Sequence, residues 1–333
     1  MEKEKRILTG DRPTGKLHLG HYVGSLENRL KLQKKYDTFL IIADVQALTT
    51  NFENPENLSR DVHQVAEDYL AVGIDPEETT ILVQSMIPEI AELTVFYSMI
   101  VTVNQLQKNP TIKEEAEQYG YDEMSYGFLG YPVSQAADIT FCKADLVPVG
   151  QDQLPHIEQT RRIVRKFNQL YEPVFKEPEP KVSRIPRLVG LDGKNKMSKS
   201  LDNAIYLNDS EKEVLNKVMS ARTDPARIRA TDPGHPEVCT VFQYHKAFNQ
   251  EAVPEIEKRC KEGTIGCVAC KKRLAKAINE LLDPMRERRQ KYLENPQLVE
   301  EIVMEGTKHA RNIAKETIKE VKAAMKLDYF KDK

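Results

Sequence analysis

Four short apolar runs, with helical patterns falling between them, constrain this chain more than any other feature. They are Arg6-Ile7-Leu8-Thr9, Thr38-Phe39-Leu40-Ile41-Ile42-Ala43, Thr79-Thr80-Ile81-Leu82-Val83 and Leu146-Val147-Pro148-Val149. Continuous hydrophobicity, as opposed to alternation, marks a strand covered on both faces, as in a parallel sheet. Helical spacing appears over residues 22–32, over 55–72 between Asn54 and Gly73, over 87–100 and over 151–168. This βαβα order predicts an α/β fold, a Rossmann-type doubly wound parallel sheet with ligands beyond the carboxyl ends of its strands. From about Ser210 onward no run of comparable strength occurs. Helices are expected there over 211–221, 251–261, 270–282, 297–308 and 309–325, and the change of pattern places a boundary near 205. Glu177-Pro178-Glu179-Pro180 reads as a short ordered linker.

Composition narrows the class. The chain has 333 residues, 40% hydrophobic and 30% charged, and no run approaches the roughly 18 apolar residues of a membrane span. The charged Met1-Glu2-Lys3-Glu4-Lys5 leads straight into a strand and does not read as a signal peptide, so a cytoplasmic location is expected. A net charge of −2 argues against a uniformly basic nucleic-acid coat but leaves room for local patches. Candidates are Lys271-Lys272-Arg273 and the stretch 286–291 (RERRQK), each of which could equally be a solvated helix face. Of five cysteines, Cys142 stands apart and reads as a core residue. The others, Cys239, Cys260, Cys267 and Cys270, follow C-x20-C-x6-C-x2-C. In a cytosolic chain such clustering points to metal rather than disulfides, either a tetrahedral zinc or an iron–sulfur cluster.

Two short words carry the chemistry. After the first apolar run, Pro13, Gly15 and Gly20 break the chain into a loop that opens the 22–32 helix. Free backbone N–H groups and the helix dipole make such a junction a phosphate cradle. His18 and His21 stand there, able to donate hydrogen bonds to charge building on a phosphate as its leaving group departs. The second word, 194–200, follows an Asp192-Gly193 turn and places Lys194, Lys196 and Lys199 on one loop. Lysines suffice to clamp the β- and γ-phosphates, because phosphoryl chemistry is mainly positioning and charge neutralisation. His18-Leu19-Gly20-His21 and Lys196-Met197-Ser198-Lys199-Ser200 together resemble the HIGH and KMSKS signatures of class I aminoacyl-tRNA synthetases.

The resemblance sharpens at Tyr131 to Ile139, Val147 to Gln153 and His156 to Arg161, which look like the bacterial-type tryptophanyl-tRNA synthetases, over essentially the whole chain. Arg12, Gln135 and Gln151 stand where relatives often carry Gln, Met and Glu. The resemblance implies activation of L-tryptophan with ATP and Mg²⁺, then transfer to tRNA(Trp), by a homodimer with no membrane attachment. It implies that His18, His21, Lys196 and Lys199 are catalytic. Arg12, Thr14, Gly20, His21, Asp152, Lys196, Met197, Ser198 and Lys199 would contact ATP. Tyr131, Gln135, Asp138, Val147, Val149 and Gln153 would hold tryptophan, with Asp138 accepting the indole N–H, a donor only. Residues 1–205 would form the catalytic domain, 206–290 a helical anticodon-binding domain and 291–333 C-terminal helices packing back on the first. The four cysteines resemble those of the subset carrying a [4Fe–4S] cluster, with zinc as the alternative. Three other readings compete: a tyrosine-specific relative, an adenylylating enzyme without tRNA, and an inactive metal- and RNA-binding scaffold.

Overall fold

The computed structural model describes residues 5–182 and 188–329, without the side chains of Asp152 and Ser200. The four apolar runs are strands β1 (Arg6–Asp11), β2 (Asp37–Ile42), β3 (Thr79–Val83) and β4 (Leu146–Val149). With β5 (Glu179–Val182) they form one parallel sheet in the order β3-β2-β1-β4-β5. Side chains alternate between two cores, Leu40, Ile42 and Ile81 on one face and Leu8, Phe39, Ile41 and Leu82 on the other. Strand order reverses between β1 and β4, so a crevice opens at their carboxyl ends.

β5 corrects the expectation of a linker at 177–180. Pro180 lacks an N–H and sits opposite Val147 on the sheet's edge, where a missing donor can face away from the ladder. The helices expected over 297–308 and 309–325 are one, Pro296–Ala324, and the one expected over 270–282 runs Cys267–Glu294. Asp44–Asn51, Tyr126–Phe141 and Thr240–Phe248 are further helices the periodicity did not announce. Pro132 inside the second of these masked its pattern.

The change from strands to helices near 205 is not a gap in packing. Leu19 donates to the Ile205 carbonyl (2.9 Å), and Leu207 donates to Leu17 (3.0 Å). Val214, Val218, Leu274 and Ile278 share a core with Leu17, Leu40 and Tyr69. The Pro296–Ala324 helix lies on the free edge of β3. A Cβ at Gly306 would come 2.2 Å from the Ile81 carbonyl oxygen, so only glycine permits this approach. One residue on, Thr307 Oγ1 accepts from the Val83 amide (3.1 Å).

The basic stretches are largely committed within the protein, which corrects their reading as free patches. Lys271 Nζ donates to the Met219 carbonyl (2.7 Å), and Arg273 pairs with Glu255 (2.8 Å). Arg286, Arg288 and Arg289 turn inward onto backbone carbonyls and buried carboxylates.

Candidate active site

The crevice at the β1/β4 switch is a cavity of about 540 Å³. Gly10, Asp11 and Arg12 come to it from the end of β1, Val147 and Val149 from β4, and Tyr131, Gln135 and Asp138 from one face of the Tyr126–Phe141 helix. Thr14, His21 and Gln153 complete the wall among the sequence-singled residues.

Asp138 is the buried carboxylate of this cavity, 4% exposed. Gln84 Nε2 donates to both of its oxygens (2.8 and 2.9 Å). Burial pushes its pKa up to about 7, against the lowering effect of hydrogen bonds from Gln84 and Gln46. Gln84 is itself oriented, because its Oε1 accepts from the Gln46 amide (3.1 Å). Opposite, the Tyr131 hydroxyl meets His156 Nε2 (2.9 Å), and burial raises the phenol's pKa. A buried acceptor in a cavity that Val147 and Val149 also line suits a flat ring carrying one N–H. Arg12 stands at the rim, 3.8 Å from Glu115.

The first signature lies beside this cavity. Its helix begins at Leu19 and passes through a π-helical turn, Tyr22–Leu26. The His18 and His21 rings pack against each other, tilted, with centroids 3.9 Å apart. His21 Nδ1 accepts from the His18 amide (3.2 Å), which leaves the ring proton on Nε2. Burial is the main force lowering both, His18 to about 3 and His21 to about 4, with Lys199 adding to it. Both are neutral at pH 7, and His18 Nδ1 is buried without a partner. Beneath them Asp11 accepts from Arg29 (2.5 Å) and from the Tyr69 hydroxyl (2.7 Å). These contacts hold Asp11 down to about 2, although burial works the other way.

The second signature reaches the first. Gly20 donates to Met197 Sδ (3.3 Å), and a Cβ at Gly20 would lie 2.8 Å from the His18 ring. Lys199 Nζ donates to Thr14 Oγ1 (3.4 Å). Burial lowers the Lys199 pKa, while Asp61, Asp68 and Asp11 act to raise it. Buried Asn203 shapes the loop, accepting from the Ser198 amide (2.7 Å) and donating to the Lys196 carbonyl (3.2 Å). Lys196 points to solvent. The Asp152 side chain lies outside the described part of the structure. Gln84, Asn203 and Arg29 had no sequence signal, being isolated polar residues brought in from distant segments; His156 stood in a stretch that carried the resemblance but with no role assigned.

The four cysteines gather in the helical half. Cys239 is buried and the other three are half-buried, all as free thiols. Burial pushes Cys270 up to about 12, and the charges of Cys239, Cys260 and Cys267 add to the rise. Arg227 Nη1 lies 3.8 Å from Cys260 Sγ and 3.9 Å from Cys267 Sγ, while its Nε is buried without a partner. Among the described residues, no group of three or more His, Cys, Asp or Glu side chains is arranged to hold a metal ion.

Residues 1–283 match the family model of class I tRNA synthetases for tryptophan and tyrosine. The chain is 50% identical over 332 residues to the tryptophan–tRNA ligase of Clostridium longisporum, covering 97% of each. It is 49% identical to that of Thermotoga maritima, covering 97% of this chain and 99% of the relative. Its fold matches tryptophanyl-tRNA synthetase from Campylobacter jejuni, solved with ADP and tryptophan. The TM-score is 0.87 at 32% identity, over 96% of this chain and 99% of that one.

Proposed function

The chain belongs to the class I tRNA synthetases, and from that premise we propose how its residues divide the work of a tryptophan–tRNA ligase. The reaction has two steps. Tryptophan's carboxylate attacks the α-phosphate of ATP, giving tryptophanyl-adenylate and pyrophosphate, and tryptophan then passes to tRNA(Trp). Asp138 accepts the indole N–H in the cavity that Val147 and Val149 also line. Tyr131, Gln135 and Gln153 hold the amino-acid end. Arg12, Thr14, Gly20, Asp152, Met197 and Ser198 bind ATP, which enters with Mg²⁺. His18 and His21 donate neutral N–H groups to the α-phosphate, and Lys196 and Lys199 neutralise the departing pyrophosphate.

The observation that carries this reading is the buried Asp138 in the wall of the same cavity that His21 lines. A phenol would ask for a group that both donates and accepts; an indole asks only for an acceptor. The test is pyrophosphate exchange with each of the twenty amino acids. Tryptophan alone should support it, and equal exchange with tyrosine would overturn the specificity. The chain contains no tryptophan, so indole fluorescence reports the ligand alone. Asp138→Ala should abolish the ligand's fluorescence change on binding.

The finer reading of the cysteines is a [4Fe–4S] cluster held by Cys239, Cys260, Cys267 and Cys270. Two observations support it. Arg227, with one orphaned N–H and another aimed at two sulfurs, suits a net-negative thiolate set. The four thiols also lie near enough to one another that the charges of Cys239, Cys260 and Cys267 raise Cys270. Bound there, the cluster would cross-link three segments of the helical half and order its surface. Anaerobically purified protein should then be brown, and Cys→Ser at any ligand should bleach it and weaken tRNA charging while sparing tryptophan activation. Colourless protein with stoichiometric zinc would establish the alternative.

We place the protein in the cytoplasm as a homodimer. Among the described residues no helix is long and apolar enough to cross a membrane. Val45, Phe52, Met86, Val95 and Met99 leave an exposed apolar set on neighbouring segments of the first half, suited to a second copy. The 1–205, 206–290 and 291–333 segments would act as catalytic, anticodon-binding and C-terminal units.

A further inference from the structure

The Cys267–Glu294 helix has 28 residues and so spans about 42 Å. Its first turn carries Cys267 and Cys270; its last turns carry Arg286, Arg288 and Arg289. All three arginines are spent inside the protein. Arg286 Nε donates to the Asp209 carbonyl (2.9 Å). Arg288 donates to the Ala71 (2.7 Å) and Val72 (3.0 Å) carbonyls, which closes the carboxyl end of the Leu58–Val72 helix. Arg289 reaches Glu67 through Nη1 (2.5 Å) and Asp68 through Nη2.

Asp68 has no solvent exposure. One of its oxygens faces Arg289 and also accepts from Gln64 Nε2 (3.3 Å); the other accepts from the Leu17 amide (2.8 Å). Leu17 immediately precedes His18. The same carboxylate contributes to the field at Lys199. A single buried charge therefore meets the first signature through a hydrogen bond and the second through space. Its counter-ion belongs to a helix whose far end holds the cysteine pair. Burial drives the Asp68 carboxyl toward the neutral form, and Arg289 and the Leu17 amide oppose it.

We propose that Arg289 is a positioning residue for adenylate formation, acting through Asp68 to fix the Leu17 amide and hence the direction in which His18 and His21 present their N–H groups. The Cys267–Glu294 helix thereby connects the cysteine region to the phosphate-binding loop, with Pro284 lying between its two ends. Losing the guanidinium leaves Asp68 buried and uncompensated. The carboxylate then takes up a proton or turns, and the loop loses its anchor while the tryptophan slot, built on other elements, keeps its shape.

This rests on the assignment of the His18–His21 loop to ATP, and the experiment separates the two. Tryptophan-dependent pyrophosphate exchange in the wild type tests the assignment; absence of exchange would sink it. Arg289→Met should then lower kcat about 100-fold, the scale expected when remote changes misplace reacting groups by about 1 Å. The tryptophan dissociation constant, read from ligand fluorescence, should stay within about two-fold, because Arg289 touches no part of that slot. Arg289→Lys keeps the charge and loses the fork, and should cost about 10-fold in kcat. Asp68→Asn can still accept from Leu17 and needs no cation, so the Asp68→Asn/Arg289→Met double variant should lose less than the product of the single losses. Three results would overturn the proposal: wild-type kcat in either Arg289 variant, equal losses of kcat and tryptophan affinity, or strict multiplicativity in the double variant.

Discussion

The two signature loops, proposed to serve one substrate, are built in opposite ways. His18 is flanked by Leu17 and Leu19, 1% and 0% exposed, whose backbones are tied to Asp68, Ile205 and Leu207. The Lys196–Lys199 segment has one buried side chain, Met197, and is held by Asn203 and by the Met197 amide donating to the Leu188 carbonyl (3.3 Å). The first loop is finished before substrate arrives, with two neutral imidazoles whose N–H directions are set by packing. The second presents Lys196 to solvent on a loop with one buried side chain, suited to closing on a polyanion after it binds. Rigidity sits where charge develops at one atom; freedom sits where a large group must enter and leave.

The sharpest way to break this contrast is to treat both loops alike. His18→Ala and His21→Ala should each raise the barrier to pyrophosphate exchange by about 3–4 kcal/mol, with little change in ATP affinity. An equal loss in ATP binding would mean that the loop holds the ground state. For the lysines the expected order is asymmetric. Lys199→Ala should cost about 10- to 100-fold in kcat, a typical range for one phosphate clamp. Lys196→Ala, starting from solvent, should cost less. The reverse order would show that the loop rearranges beyond a simple closure.

Asn203→Ala should lower kcat by up to about 30-fold, because it removes two hydrogen bonds worth roughly 1 kcal/mol each. Wild-type turnover would mean the resting shape of that loop is irrelevant. The smallest effect expected is none. With His18 and His21 held near 3 and 4 by burial, kcat at saturating tryptophan should show no ionisation around 6.5. Below about 7, kcat/KM for tryptophan should still fall several-fold as Asp138 gains a proton and competes with the indole. Stability has its own signature. The unfolded histidines take up protons near 6.5 and the folded ones resist until 3 or 4, so their contribution is lost as pH falls through that window.

The strands and both signatures were legible because each is written in contiguous residues. Thr79–Val83 and Leu146–Val149 fall where their apolar runs do. β5 was not legible, since Glu179 and Pro180 suit a strand only at an edge that a neighbouring strand defines. The RERRQK stretch misled for a related reason. A charge run reads as solvated or as a nucleic-acid patch unless its partners are known, and Asp68 is 221 residues from Arg289. Gln84 became visible only as the group holding Asp138, 54 residues away. Local words carry the reaction; the polar scaffold that aims them is a property of contacts.

The helix laid over β3 has a consequence for biosynthesis. Thr307 caps Val83 from 224 residues downstream. At about 5–20 residues per second, a nascent chain carries that strand uncovered for some tens of seconds after it emerges. During this interval the row of unpaired backbone groups on Thr79–Val83 can accept another strand. Ribosome pausing or truncation ahead of Gly306 would therefore yield a chain with every residue of the tryptophan slot in place and an open seam along one side, a substrate for chaperones before it is an enzyme.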